Sequence, residues 1–333
     1  MTSELLKPAS RIAGMGRSVP ERVLTNADFE KMVETSDEWI TARTGIKRRH
    51  VVEPGTPTSD LCTDASRKAL AQAGLTPDQV DLIIIGTVTG DAKFPSTANF
   101  VQSKLGAYNA ATFDIGAACS GFLYALEIGD NAIRAGRAKV VLAIGSEILS
   151  SVTDYSDRTT CVLFGDGAGA AVIVPTEDDS IGILSTHTGS NGDLAHLLYC
   201  HGGGSLKPGK DPRTTAEDFY LRMAGNEVFK HAVRTMAEAA EVAMKRAKLT
   251  PEQIDLLVPH QANMRIIDAT AKRFGFSRDK VLINIDEYGN TSSASIPIAL
   301  DEARERGRIK PGTTVLAVAF GGGFTWGSAV IRF

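Results

Sequence analysis

Short apolar runs alternate along the chain with longer stretches whose apolar positions recur at helical spacing. Val80–Gly86 is nearly all apolar, which predicts a short strand buried on both faces. Around it the pattern predicts a helix over Ala65–Ala73 ended by Gly74, a helix over Ser96–Leu105 capped by Gly106, and a strand over Ala111–Ile115. A helix over Gly121–Arg134, with Gly136 behind it, and a strand over Lys139–Ile144 follow. The same order returns further on, with helices over Ala232–Ala247, Ala262–Phe274 and Ile296–Arg304 and strands over Ile254–Val258, Val281–Ile285 and Thr314–Phe320. Such alternation predicts α/β layering with mostly parallel strands.

The repetition is also visible letter by letter. LTPDQVDLIIIG at 75–86 and LTPEQIDLLVPH at 249–260 agree, by identity or similarity, at ten of twelve positions and are offset by 174 residues. The same offset lays AKVVLAIG at 138–145 on GTTVLAVA at 312–319 and Leu126 on Leu300. Several matches at one offset predict two halves of like fold, residues 1–175 and 221–333. Residues 176–220, rich in Gly, Ser, Asp and His and without periodicity, read as a loop-rich connection that shapes a substrate entrance. FGDGAGAAV at 164–172 fails the dinucleotide-binding spacing and runs into an apolar strand, so its small residues indicate tight strand packing.

Length, composition and charge narrow the class without choosing within it. A chain of 333 residues with 43 % hydrophobic and 23 % charged positions suits two domains or one duplicated core. A net charge of −3 gives no sign of a nucleic-acid binder. Cys62, Cys119, Cys161 and Cys200 are widely spaced, so neither a redox pair nor a cysteine-rich zinc site is indicated. Met1–Gly14 has no apolar core of signal-peptide length and Leu82–Ile85 is too short to span a bilayer, so a cytoplasmic protein without a membrane partner is expected.

Candidate chemistry lies where the two halves differ. At the 174-residue offset His260 faces Gly86, Cys119 faces Ser293 and Asn290 faces Gly116, all near predicted strand ends, where ligand crevices of such sheets form. Cys119, in DIGAACSGF, follows a strand and precedes a helix. That setting predicts a thiol whose pKa is lowered by free backbone N–H groups and the helix start. A buried, inert cysteine is the plainer reading, and it is the one adopted for the other three cysteines. His260 opens HQANMRIID at a strand end, where it could act as acid, base or hydrogen-bond donor, or simply tie two loops. Asn290, in YGNTSSASIP, is ordinary turn chemistry taken alone. FGGGFTWG at 320–327 could present backbone N–H groups to an oxyanion, or be only a tight turn.

Taken together, TSDEWITARTGI, AACSGF, FGDGAGA, HQAN, GNTSSASIP and GGGFTWGSA strongly resemble the β-ketoacyl-acyl carrier protein synthase III family of thiolase-fold condensing enzymes, over essentially the whole chain. Several additional residues precede the first strand. The resemblance implies a duplicated αβαβα fold, a homodimer and a Cys119–His260–Asn290 triad, with no metal or redox cofactor. It implies that Cys119 takes a primer acyl group from acyl-CoA, with an oxyanion hole from the N–H groups of Cys119 and Gly322. His260 and Asn290 would then hold malonyl-acyl carrier protein during decarboxylation. It places CoA on Trp39 and Arg158, with Thr35, Arg43, Phe229 and Asn263 nearby. It makes Phe94 a residue that crosses the dimer interface to the partner's acyl pocket, which Leu163 and Phe164 also bound, and the bulk of Phe94 suits a short primer. Lys230, Arg265, Lys272 and Arg273 form a candidate docking face for the acidic carrier protein. Rival readings are a Cys–His–Asn thioester hydrolase, a related condensing enzyme of secondary metabolism and a non-catalytic carrier-protein binder.

Overall fold

The computed structural model describes residues 8–333, so the N-terminal extension over residues 1–7 lies outside the described residues. The first half builds a sheet from β1 (Ser10–Ser18), β2 (Leu82–Gly86), β3 (Ala111–Ile115), β4 (Val141–Glu147) and β5 (Gly167–Pro175), in the order β1-β5-β4-β2-β3. β3, β2 and β4 are parallel, while β5 and β1 are antiparallel additions. The second half builds β6 (Gly182–Ser190), β7 (Leu256–Pro259), β8 (Thr314–Gly321) and β9 (Thr325–Arg332), in the order β7-β8-β9-β6.

The duplication is structural. Shifted by 174 residues along the chain, β2 falls on β7, β4 on β8, and helix α4 (Gly121–Arg134) on α7 (Ser295–Glu305). The short turns Ala118–Ser120 and Ser292–Ala294 correspond residue for residue. After α1 (Asp37–Thr44), helix α2 (Thr58–Ala73) likewise corresponds to the last two-thirds of α5 (Gly225–Ala247).

The packing explains why β2 and the first five residues of β4 are apolar. Side chains alternate across a strand. In the first sheet Ile84, Val141 and Ala143 face a central layer with Phe122, Leu126, Ile296 and Leu300 from α4 and α7. Ile83, Ile85, Leu142 and Ile144 face the opposite way, onto α2 and α3 (Thr97–Leu105). In the second sheet Leu257, Leu316 and Val318 face α5 and α6 (Met264–Arg273). The result is the αβαβα layering of the thiolase-like fold.

Two expectations change. Val281–Ile285 is not a strand: only Val281 bridges Leu257, and Ile285–Tyr288 forms a short helix. This is the position of β3 in the first half, so the second sheet lacks a full fifth strand. The segment 176–220 is not all loop, because Gly182–Ser190 is β6, paired along its length with β9. Its mixed polar composition reflects an edge strand with only partly buried side chains.

Candidate active site

The two turns before α4 and α7 meet where the halves join. Ala118 and Ser292 occupy the same place in the two turns and share a left-handed backbone, with φ of 45° and 48°. This conformation is costly for residues with a Cβ and marks a constrained site. It sets Cys119 at the mouth of α4. The end of β8 presses on that turn so closely that a Cβ at Gly321 would stand 2.6 Å from the Cys119 nitrogen. A glycine is required there.

Cys119, His260, Asn290, Gly321 and Gly322 all line one cavity of about 640 Å³. Its walls also carry Trp39, Arg43, Leu163, Phe164, Phe229, Asn263 and Arg265. The backbone N–H groups of Cys119 and Gly322, the pair expected of an oxyanion hole, act on the thiol in the direction of a lower pKa. The thiol nevertheless differs from the sequence expectation. Burial pushes it up to about 11, and the Ser292 side chain and the two backbone N–H groups only partly offset this. A helix start favours a thiolate, but removing the sulfur from water costs more here. The resting group is therefore a neutral thiol.

His260 extends the β7–β8 ladder by one residue, its N–H donating to the Val318 carbonyl at 2.8 Å. Its Nδ1 lies 2.7 Å from the Ser295 hydroxyl at the start of α7, which leaves Nε2 for a cavity occupant. Burial holds the imidazole down to about 3, so it is neutral across the physiological range. Gln261 locks the turn from beneath, donating to Pro259 and Leu282 carbonyls and accepting from the Asn284 N–H. Asn290 is stitched to the 163–165 segment: its N–H donates to the Leu163 carbonyl at 2.9 Å and its carbonyl accepts from Gly165 at 3.1 Å. Its side-chain oxygen accepts from the Ser292 N–H at 2.9 Å, leaving the amide NH2 as a donor.

The other candidates divide. Two guanidinium groups stand over the Trp39 ring, Arg43 at 4.8 Å and Arg158 at 5.1 Å from its centroid. Arg158 also donates to the Glu34 carbonyl at 2.8 Å. Two stacked contacts need about 7 Å, so a planar base cannot enter between Trp39 and Arg158 until the arginine moves. The Thr35 hydroxyl is enclosed without a hydrogen-bond partner and does not face the cavity. Asn263 donates to the Arg43 carbonyl and caps α6, and Arg265 stands 4.9 Å from the Phe229 ring. Phe94 is 86 % exposed and takes no part in this chain's own cavity. Lys230 and Arg273 are paired with Glu227 and Glu241, whereas Lys272 has no ion pair among the described residues.

Ser295 and Ser292 were not singled out from the sequence, although both lie in the same GNTSSASIP run as Asn290. Glu147, a lone carboxylate closing the apolar strand VLAIGSE, was also passed over. It is fully buried next to Ser292.

A thiol, a neutral imidazole and an amide donor in one partly apolar cavity make a candidate acyl-transfer site on a thiolase-like frame. Comparison with known proteins narrows this class. The family model described as 3-oxoacyl-[acyl-carrier-protein (ACP)] synthase III matches residues 113–192, and its C-terminal counterpart matches residues 244–333. The β-ketoacyl-[acyl-carrier-protein] synthase III of Caldanaerobacter subterraneus is 52 % identical, covering 98 % of both chains. That of Natranaerobius thermophilus is 49 % identical over 97 % of this chain and 99 % of its own. The crystal structure of 3-oxoacyl-[acyl-carrier-protein] synthase III from Aquifex aeolicus superposes with a TM-score of 0.90 at 47 % identity, covering 97 % of this chain and all of that one. The chain belongs to the β-ketoacyl-acyl carrier protein synthase III family.

Proposed function

We propose that this enzyme condenses a primer acyl-CoA, of short chain such as acetyl-CoA, with malonyl-acyl carrier protein, giving a 3-oxoacyl-acyl carrier protein, CO2 and CoA and starting fatty-acid synthesis. The observation that carries the reading is the convergence of Cys119, His260, Asn290 and the Gly322 N–H on one cavity. In acylation, the Cys119 proton passes to His260 Nε2 as sulfur attacks the thioester carbonyl. The tetrahedral oxyanion is held by the N–H groups of Cys119 and Gly322, and His260 returns the proton to the departing CoA sulfur. The Ser295 hydroxyl can accept from or donate to Nδ1, so it serves the imidazole in either tautomer.

In the second half-reaction the malonyl thioester carbonyl sits between His260 Nε2–H and the Asn290 amide. Loss of CO2 leaves its electron pair as an enolate, whose oxygen those two donors stabilise. The enolate carbon then attacks the acyl-cysteine carbonyl, the C–S bond breaks, and the Cys119 thiolate takes one proton from solvent. A neutral imidazole suits this step, because it can donate from Nε2 without first losing a charge.

CoA recognition rests on Trp39 and Arg158, with Arg43, Phe229 and Asn263 along the cavity and Thr35 behind them. For the adenine to stack, Arg158 must release the Glu34 carbonyl and swing outward. Trp39→Ala is expected to raise KM for acyl-CoA about tenfold with little change in kcat, measured by initial rates at saturating malonyl-carrier protein. Carrier-protein docking falls mainly to Arg265 and Lys272, since Lys230 and Arg273 already hold acidic partners. Four unpaired cysteines support a reducing compartment such as the cytoplasm.

The active unit is a homodimer. β3 is an edge strand with an unpaired side, and Phe113, Tyr108 and Phe94 are exposed around it, at 37 %, 74 % and 86 %. An apolar open edge invites pairing with a second copy, which would carry Phe94 to the partner's acyl pocket, beside Leu163 and Phe164. Phe113→Asp is expected to give monomers by sedimentation at micromolar concentration, where the unmodified chain sediments as a dimer. The function itself is tested by a panel of acyl-CoA primers with malonyl-carrier protein, with products read by mass spectrometry. Chain extension by two carbons is expected, and release of the acyl group only as free acid would favour hydrolysis instead.

A further inference from the structure

Arg49, in the short strand Arg48–His50, has no surface exposed to solvent, and no carboxylate forms an ion pair with it among the described residues. Burial pushes its pKa down to about 10, which still leaves it charged at neutral pH. A buried charge without a counter-ion is costly unless it is well hydrogen-bonded. Its Nε donates to the Val162 carbonyl at 2.9 Å and Nη2 donates to the same oxygen, while Nη1 donates to the Asn26 side-chain oxygen at 2.6 Å. The guanidinium carbon stands 4.5 Å from the centroid of the Phe29 ring. Asn26, itself buried, is fixed in turn, its amide donating to the Ile46 carbonyl at 2.9 Å and at 2.6 Å to the carboxylate of Asp37, which opens α1. The guanidinium therefore reaches a carboxylate only through an amide.

What Arg49 grips is the backbone that grips Asn290. Directly after Val162, the Leu163 carbonyl accepts the Asn290 N–H and the Gly165 N–H donates to the Asn290 carbonyl. The arginine stem also lies against the residue before Asn290. A Cβ at Gly289, where φ is +65°, would stand 3.0 Å from Arg49 Cγ and 2.9 Å from the Leu163 carbonyl oxygen. A Cβ at Gly165 would stand 3.4 Å from Arg49 Cβ. One side chain thus touches both sides of the bridge between Phe164 and Asn290. The Asn290 side-chain oxygen is tied to the Ser292 N–H, so the backbone position decides where the amide NH2 points.

We infer that Arg49 is a positioning residue for Asn290: by holding the Val162 carbonyl and packing on Gly289, it fixes the backbone from which the Asn290 amide reaches the enolate oxygen. The other two members of the site are held by different means. His260 hangs on the Val318 carbonyl with Gln261 beneath it, and Cys119 is set by its own turn against Gly321. Arg49 therefore bears on decarboxylation and not on acylation.

This inference rests on the reading of Asn290 as a donor to the enolate, and the two half-reactions test it. Labelled CO2 release from malonyl-carrier protein and single-turnover acylation by acetyl-CoA are measured in the full chain for Arg49→Lys and Arg49→Met. Lysine keeps the charge and methionine keeps an unbranched stem on Gly289, and neither can place two nitrogens on the Val162 carbonyl, so either variant that folds decides. CO2 release is expected to fall about ten- to hundredfold, with acylation changed by less than about twofold. Combined with Asn290→Ala, either substitution is expected to slow CO2 release by less than about twofold further, because the group it positions is already gone. Failure of both variants to fold, equal losses in the two half-reactions, or a loss that multiplies with that of Asn290→Ala would make Arg49 a general support of the fold and overturn the inference. Unchanged CO2 release in both single variants would overturn it as well. Normal CO2 release in Asn290→Ala itself would instead overturn the reading on which the inference rests.

Discussion

Cys119→Ser is expected to accumulate no acyl-enzyme and to lose condensation by on the order of 10³-fold or more. The reason is specific to this site. The thiol is already pushed up to about 11, and its attack depends on handing a proton to a neutral imidazole. A serine hydroxyl is a far weaker acid, so the same imidazole cannot activate it to a comparable degree. The substitution keeps the volume of the turn, and the close contact with Gly321 involves backbone and Cβ atoms that serine retains. Circular dichroism and melting temperature should therefore be near those of the unmodified chain. Intact-protein mass after exposure to acyl-CoA is the direct reading, and an acyl adduct on the serine variant would move the nucleophile elsewhere.

His260→Ala and Asn290→Ala are expected to separate the two half-reactions. Each removes one donor to the enolate oxygen and should slow decarboxylation of malonyl-carrier protein by about 10²–10³-fold. Asn290→Ala should still acylate Cys119 at close to the normal rate, because the Asn290 amide has no part in that step. His260→Ala should acylate slowly, since the proton acceptor is gone, yet reach full occupancy. The double variant should be little worse than the poorer single one, because the two donors act on one oxygen. Labelled CO2 release and single-turnover acylation measure the two steps independently. Normal decarboxylation in either variant would contradict the assigned donor.

Much of this fold was legible because its halves repeat one pattern. LTPDQVDLIIIG and LTPEQIDLLVPH predict corresponding strands, and β2 and β7 occupy them. Gly121–Arg134 was readable to the residue, with Phe122, Leu123, Leu126 and Ile133 toward the central layer. Val281–Ile285 misled because four of its five residues are apolar, yet only Val281 bridges Leu257. β6 was hidden because an edge strand with half-exposed Ser, Thr and His residues lacks the apolar signal of a buried one.

The site was legible in part, for a similar reason. Comparing equivalent strand ends isolates Cys119, His260 and Asn290 as departures from symmetry. Ser292 is such a departure as well, facing Ala118, but a serine in a Ser-rich turn is common. Only the geometry joins it to Glu147. The protonation state of Cys119 could not be read from the strand–turn–helix pattern, which carries the helix start but not the depth of burial. Nor could the closed contact of Arg158 on Trp39, which depends on where Glu34 presents its carbonyl.

The central claim is that Cys119 carries the acyl group between two substrates. Its most direct measurement is a two-stage intact-mass experiment on the full chain. Incubation with acetyl-CoA alone should add one acetyl group, located at the Cys119 peptide. Addition of malonyl-carrier protein should then remove it, with a matching 3-oxobutyryl group on the carrier. Disappearance of the acetyl group as free acetate, with the carrier unchanged, would contradict the account.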